Sequence, residues 1–163
     1  LTEVYSELKF HYANVDAFEA DAPEILRGVA DLANQSLRQH ASTHPETEGM
    51  GATLVVPALV ENRLWWVSIG DSPLFLFRNG KLSQLNEDHS MAPQIDFMVH
   101  SGLMDPQVAA NYPDRNCLIS LLMGTRNQKI DTPPAASSPA ATIVPASLAG
   151  GDSSITSSSA PTR

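Results

Sequence analysis

The sequence predicts an α+β fold in which helices cover antiparallel β-structure. Three features support this prediction: a helical apolar period over residues 23–40, four short β-rich runs between residues 53 and 85, and helix-capping signals after residue 90. The β-rich runs follow one another without intervening helices, so they lack the β–α alternation of a parallel sheet. We therefore expect the strands to pair in an antiparallel manner.

The first helix is predicted over residues 23–40. Asp21 and Glu24 have the spacing of a capping box, and Pro23 lies in the first turn, where a missing backbone N–H costs nothing. Apolar side chains then recur every three or four residues and mark one buried face: Ile25, Leu26, Val29, Leu32, Ala33 and Leu37. The polar segment 42–49 contains a proline and is expected to be a loop.

The β-rich runs predict four strands, at residues 53–60, 64–69, 74–77 and 82–85. Asn79-Gly80 lies between the last two and is a strong hairpin signal, because both residues tolerate the positive φ of a type I′ turn. Pro57 removes a backbone donor, which favours an edge or a bulge for the first strand. Trp65 and Trp66 should point to opposite faces of the second strand. We expect all four strands to form one antiparallel meander.

Two short helices are predicted after the strands. Ser90 can cap a helix that ends at Gly102, and Asp105-Pro106 begins a second helix that runs to about residue 111. Residues 116–124 are apolar, and periodicity does not decide whether they form a strand or a buried helix.

Composition argues against several classes of function. The chain has 163 residues and a net charge of -8, whereas nucleic acids and anionic membranes bind clustered positive charge. Its apolar runs are much shorter than the roughly 20 residues of a membrane-spanning helix, and its first residues lack the pattern of a signal peptide. A single cysteine excludes an internal disulfide. We expect a cytoplasmic protein that binds neither nucleic acid nor membrane.

The last part of the chain differs in composition from the rest. Residues 132–163 comprise 32 residues, of which 24 are Ser, Thr, Ala or Pro and only Asp152 and Arg163 are charged. Such a segment has too few large apolar side chains to offset the entropy of ordering it. We predict one structured domain over residues 1–131, which carries the whole net charge, and a disordered tail over residues 132–163.

Gly70-Asp71-Ser72 follows a predicted strand and is the most informative point for chemistry. A carboxylate at a strand end, beside a glycine that lets a ligand approach the backbone, suits a hard divalent cation or its bound water. The alternative is an ordinary turn residue whose carboxylate bonds its own backbone. Taken alone, the tripeptide favours the turn residue.

Other polar clusters have simpler explanations. Residues 86–90 bring two carboxylates and a histidine together, but acidic residues before a helix also stabilise its positive end. His40 and His44 have a metal-ligand spacing without an acidic partner between them, so we expect two exposed histidines. Cys117 is expected to be an inert thiol, since Arg115 is the only basic residue near it in sequence.

Several motifs occur in the order that is typical of one protein family. They are Gly49-Met50-Gly51-Ala52-Thr53, Gly70-Asp71-Ser72, Arg78-Asn79-Gly80-Lys81 and Asp88-His89-Ser90, followed by Pro113-Asp114-Arg115-Asn116 and Leu121-Leu122-Met123-Gly124. On these motifs, over about residues 20–131, the chain resembles the metal-dependent serine/threonine protein phosphatases of the PPM type (type 2C). The predicted long helix also stands where this family has one.

The resemblance implies part of an α-β-β-α sandwich, with two antiparallel sheets flanked by helices. It implies hydrolysis of phosphoserine or phosphothreonine in proteins by a water that a pair of Mn²⁺ or Mg²⁺ ions activates. Asp71 matches the family aspartate that supports the metal centre, often through coordinated water. Asp88 and His89 match a structural motif. No residue is assigned a catalytic role, and none besides Asp71 a metal-binding one.

Two groups of the family's ligands have no match here. The early Asp-Gly-x-Gly-Gly motif and the phosphate-binding arginine are absent from residues 1–22, and the late Asp-Gly and Asp-Asn motifs do not follow Gly124. One carboxylate cannot hold two dications, because several anionic ligands must offset their repulsion. We predict a truncated member, inactive alone, that self-associates through exposed sheet edges. The alternatives are a non-catalytic phosphatase-like binding domain and an unrelated acidic α+β domain.

Overall fold

The computed structural model describes residues 2–11, 14–60, 62–125, 129–132, 136–137 and 142–145. Its helices are α1 (Thr2–His11), α2 (Val15–Thr43), α3 (Ala92–His100) and α4 (Pro106–Ala110), with a short 3₁₀ turn at Pro45–Thr47. Its strands are β1 (Leu54–Val60), β2 (Arg63–Ile69), β3 (Leu74–Arg78), β4 (Lys81–Gln84), β5 (Ala136–Ser137) and β6 (Thr142–Pro145). The predicted α+β class is confirmed.

Helix α2 begins earlier than the sequence predicts. Asn14 is its N-cap, and the Asn14 side chain accepts a hydrogen bond of 3.1 Å from the Ala17 N–H. The predicted start at Asp21-Pro23 is wrong, because Pro23 lies inside the helix. Phe18 and Ala22 are buried and extend the apolar face upstream of the proline. Tertiary packing therefore overrides the local start signal.

The strands form two sheets rather than one meander. One sheet has the order β1-β2-β5 and the other β4-β3-β6, with antiparallel pairs throughout. The prediction of a single meander is wrong at the link between β2 and β3, where Gly70 to Pro73 carries the chain from one sheet to the other. The hairpin between β3 and β4 is confirmed, since Asn79 and Gly80 have φ values of 51° and 75°.

The first sheet has apolar side chains on both faces. Trp65, Val67 and Ile69 belong to the same core as the buried face of α2, and the Trp65 ring meets the Phe18 ring edge-on at 5.6 Å. Leu64 and Trp66 instead pack with Leu74 and Leu76 of the second sheet. The order of layers is therefore helix, sheet, sheet, and the predicted alternation of the two tryptophans is confirmed.

The C-terminal part of the chain adds a strand to each sheet. Leu64 in β2 pairs with Ala136, and Phe75 in β3 pairs with Val144. Residues 136–137 and 142–145 of the predicted tail thus form backbone pairs with a sheet edge, and the expectation of a disordered tail stays a prediction. Residues 146–163 of the predicted tail lie outside the described residues. The boundary at residue 131 stays a prediction.

The region after the second sheet contains the two predicted helices. Ser90 accepts a hydrogen bond from the Ala92 N–H at the start of α3, and Asp105 caps α4. Residues 116–124 form neither a helix nor a regular strand; they are held by isolated antiparallel bridges between Ser90 and Leu118 and between Ala52 and Leu122. No helix among the described residues is long and apolar enough to cross a membrane.

Candidate functional site

The turn at Gly70-Asp71-Ser72 lies where the chain leaves the first sheet. Gly70 has a φ of +99°, and a Cβ atom on it would collide with the side chain of Thr53. Only glycine therefore fits this point without strain. The next residue, Asp71, is exposed. The turn presents a solvent-accessible carboxylate directly beside buried backbone.

Two buried side chains hold the backbone of this turn. The Gly70 N–H donates to Nδ1 of the His89 ring at 3.2 Å, and the backbone N–H of His89 donates to the Gly70 carbonyl at 3.2 Å. On the other side, Oδ1 of Asn86 accepts from the Leu74 N–H at 2.6 Å, and its Nδ2 donates to the Ser72 carbonyl at 2.9 Å. Thr53 and Ser72 share a further hydroxyl hydrogen bond of 2.8 Å.

His89 is the most deeply buried titratable group near the turn, with a relative exposure of 0%. Burial lowers the pKa of His89, since the charged imidazolium would lose its hydration. Because Nδ1 accepts the Gly70 hydrogen bond, the neutral ring carries its proton on Nε2. That atom has no hydrogen-bond partner among the described residues.

The remaining residues of the 86–90 segment have structural partners. Asp88 accepts from the Ser90 N–H at 2.9 Å, as expected of a residue just before a helix. Glu87 pairs with Lys129, and this hydrogen bond lowers the pKa of Glu87. The segment therefore supports the turn and the start of α3, in agreement with the structural interpretation of its acidic residues.

Asp131 makes polar contacts that the sequence did not predict. Its carboxylate accepts from the Glu87 N–H at 3.0 Å and from Nε1 of Trp66 at 3.4 Å, and its backbone pairs with Ser68. Asp131 is the last residue of the domain that the sequence predicts. No local signal indicated these contacts, because the partners are 44 and 65 residues apart.

The other candidate residues form no site. His40 and His44 are exposed and stack on one another at 4.1 Å, and His44 lies against the His40 carbonyl. Cys117 is exposed, and desolvation together with the Asp114 carboxylate raises the pKa of its thiol. A raised pKa disfavours the reactive thiolate.

The described residues do not form a complete metal site. Among them, no group of three or more His, Cys, Asp or Glu side chains is arranged to hold a metal ion. Asp71 therefore offers only one carboxylate among the described residues, whereas two dications held close together require several anionic ligands. The part of the chain that is described does not fit a two-metal centre by itself.

The curated relatives of the chain are bacterial phosphatases. It is 33% identical over 99 residues to the serine/threonine protein phosphatase PstP of Mycobacterium tuberculosis, a match that covers 61% of this chain and 19% of PstP. It is 29% identical over 107 residues to the serine/threonine phosphatase Stp of Listeria monocytogenes, covering 66% of this chain and 41% of Stp. The chain thus spans less than half the length of these relatives. No protein-family model matches it.

Solved structures agree with these relatives. The crystal structure of the Mycobacterium tuberculosis serine/threonine phosphatase PstP/Ppp matches with a TM-score of 0.64 and 27% identity, over 85% of this chain and 56% of that one. The PPM Ser-Thr phosphatase MsPP from Mycobacterium smegmatis, in complex with cacodylate, matches with a TM-score of 0.56 and 27% identity, over 79% and 56% of the two chains. Over part of their length, this chain is similar to PPM-type serine/threonine phosphatases in both sequence and fold.

The similarity in fold to PPM phosphatases agrees with the two antiparallel sheets that the family resemblance implies. A further PPM neighbour, the PstP catalytic domain in complex with two manganese ions, matches with a TM-score of 0.55 and 25% identity, over 72% of this chain. The predicted resemblance and the predicted incompleteness of the PPM-type domain are both confirmed.

Proposed function

We propose that this chain is a segment of a metal-dependent protein serine/threonine phosphatase, and that it needs further segments of such an enzyme for activity. The observation that carries the proposal is the exposed Asp71 on a turn whose backbone is held by buried side chains. Relatives of this chain are named serine/threonine phosphatases, and one structural neighbour is described with two manganese ions.

The role proposed for Asp71 is to support a Mn²⁺ or Mg²⁺ centre. Its carboxylate is accessible and is a hard oxygen ligand, the type that both ions prefer. The other anionic ligands would come from residues outside the described part of the chain. When bound, the metals would supply an activated water and neutralise phosphate charge. The contribution of this chain is to hold one carboxylate in a fixed place.

The proposed substrate is a phosphoserine or phosphothreonine protein, in a cytoplasmic setting. Support comes from the names of the relatives and from the net charge of -8, which disfavours binding of nucleic acid or anionic membrane surfaces. The proposed domain organisation keeps a PPM-type unit that ends near residue 131, followed by a segment that includes the two short strands β5 and β6.

The test compares this chain with the protein encoded by the surrounding reading frame. With Mn²⁺ and a phosphothreonine peptide, we expect no hydrolysis by this chain alone and measurable hydrolysis by the longer protein. In the longer protein, Asp71→Asn should lower kcat/KM by about tenfold or more, as is usual for groups that orient metal ligands. Asp31→Asn, at an exposed position of α2, is the matched control and should leave kcat/KM unchanged.

Two results would count against this function. Activity of the isolated chain that Asp71→Ala abolishes would show that no further ligands are needed. A longer protein without Mn²⁺-dependent hydrolysis would instead favour the phosphatase-like binding domain, and binding of the unhydrolysed phosphopeptide would then be its signature.

A further inference from the structure

The segment at residues 86–89 contacts the Asp71 turn from both sides. His89 bonds the N–H and the carbonyl of Gly70, which immediately precedes Asp71. Asn86 bonds the Ser72 carbonyl and the Leu74 N–H, which follow it. The relative exposure of Asn86 is 6% and that of His89 is 0%, so water does not compete for these bonds.

These bonds matter because the turn lacks regular backbone pairing. Residues 70–73 join the two sheets and belong to neither strand. A peptide group in such a link must be satisfied by side chains or by water. Here the side chains of Asn86 and His89, together with the backbone N–H of His89, provide that pairing, and they come from one short segment of the chain.

We propose that His89 and Asn86 are positioning residues that fix the backbone on either side of Asp71 and so orient its carboxylate. This inference rests on the function proposed for Asp71. Neither side chain touches a substrate in this scheme. Each acts through the peptide groups that flank the aspartate. Fixing these peptide groups fixes the direction in which the Asp71 carboxylate projects from the turn.

The first experiment measures the turn itself in the full 163-residue chain. In the wild-type chain, NMR should show a scalar coupling across the hydrogen bond between the Gly70 nitrogen and Nδ1 of His89. The absence of that coupling in a folded wild-type chain would overturn the proposal, and this measurement needs no substitution that might prevent folding.

The second experiment uses two variants of equal shape. His89→Asn places an acceptor oxygen near the position of Nδ1, whereas His89→Leu has the same branched outline and no acceptor. We expect the Gly70 amide to exchange with solvent about tenfold faster in His89→Leu than in His89→Asn, as loss of one buried hydrogen bond implies. Equal exchange rates in the two variants would show that packing alone holds the turn, and would overturn the proposal.

The third experiment connects the turn to the metal in the longer protein. The Mn²⁺ concentration for half-maximal phosphatase activity should rise about tenfold in His89→Leu and stay near the wild-type value in His89→Asn. An unchanged Mn²⁺ requirement in His89→Leu would overturn the positioning role. If the wild-type protein has no activity, the proposed function fails, and the coupling and exchange measurements still decide whether His89 holds the turn.

Discussion

At the scale of single residues, the Asp71 turn is held by side chains that are distant from it in sequence. The Gly70-Asp71-Ser72 tripeptide alone favours an ordinary turn residue, and the metal-supporting role predicted for Asp71 comes from the family resemblance. The partners of the turn were not identified as such. His89 and Asn86 lie 19 and 14 residues from the backbone groups Gly70 and Ser72 that they bond. Only the folded arrangement reveals such contacts.

The stability of the domain should depend on the protonation of His89. Burial lowers the pKa of His89 in the folded state, whereas in the unfolded chain it keeps its ordinary value of 6.5. The unfolded chain therefore binds the proton more readily as the pH falls below that value, and stability is lost by at most about 1.4 kcal/mol per pH unit. Lys129 reinforces the lowered pKa, and the carboxylates of Glu87, Asp88 and Asp131 oppose it.

Urea unfolding at pH 7.5, 6.5 and 5.5 tests this dependence. We expect the midpoint to fall between pH 6.5 and pH 5.5 in the wild-type chain and to fall less in His89→Asn, which cannot titrate. The lowered pKa of Glu87 acts at more acidic pH, below its ordinary value of 4.5, so it does not mask the effect. A wild-type midpoint that is constant from pH 7.5 to 5.5 would refute the prediction.

Cys117 should react slowly with alkylating reagents despite its exposure. Its thiol lies 3.6 Å from Oδ1 of Asp114, and desolvation and this carboxylate raise its pKa. Because the thiolate is the reactive form, we expect alkylation by iodoacetamide at pH 7.5 to be slower than that of glutathione. Asp114→Asn should accelerate it. A rate in the wild-type chain above that of glutathione would contradict the raised pKa.

At the scale of the elements, the local signals predicted where most strands and turns lie. All four strands between residues 53 and 85 were predicted to within two residues at each end, and the Asn79-Gly80 turn has the expected conformation. The start of α2 was mispredicted because Asp21-Ala22-Pro23-Glu24 resembles a helix start. Phe18 is buried on the same helix face one turn earlier, and burial of such a side chain contributes about 1.5–3 kcal/mol.

A pair of substitutions distinguishes the two possible starts of α2. Asn14→Ala removes the side chain that caps the helix and should lower the free energy of unfolding by about 1 kcal/mol. Asp21→Ala should change it by less than about 0.5 kcal/mol, because Asp21 lies inside the helix on its exposed side. Chemical denaturation at pH 7.5 measures both. A larger effect for Asp21→Ala would indicate that the helix begins near Pro23.

At the scale of the whole molecule, the pairing of distant segments escaped sequence reasoning. The strands β5 and β6 are short and lie in a segment rich in Ser, Ala and Pro, so hydrophobic periodicity does not signal them. The division into two sheets was implied by the family resemblance, whereas strand order alone favoured a meander. Strand pairing depends on partners far along the chain, and a single sequence does not record them.

Open sheet edges should make the isolated chain self-associate. Among the described residues, β1 pairs on one side only, and its Leu59 side chain is 51% exposed. We expect the apparent mass in analytical ultracentrifugation to rise with protein concentration, and Leu59→Lys to reduce that rise, because charge on an edge strand opposes pairing. Gln35→Lys, at an exposed position of α2 away from both sheets, is the control for added charge. A concentration-independent monomer would show that the edges do not associate.

The return of the chain to α2 has a consequence for folding during synthesis. The Gly124 N–H donates to Oδ1 of Asn34 at 2.7 Å, and Nδ2 of Asn34 donates to the Thr125 carbonyl at 2.7 Å. A Cβ atom at Gly124 would collide with the backbone of Arg38, so the two segments are in close contact. These partners are separated by 90 and 91 residues. During synthesis, the part of α2 around Asn34 therefore lacks these hydrogen bonds until residue 125 has left the ribosomal exit tunnel.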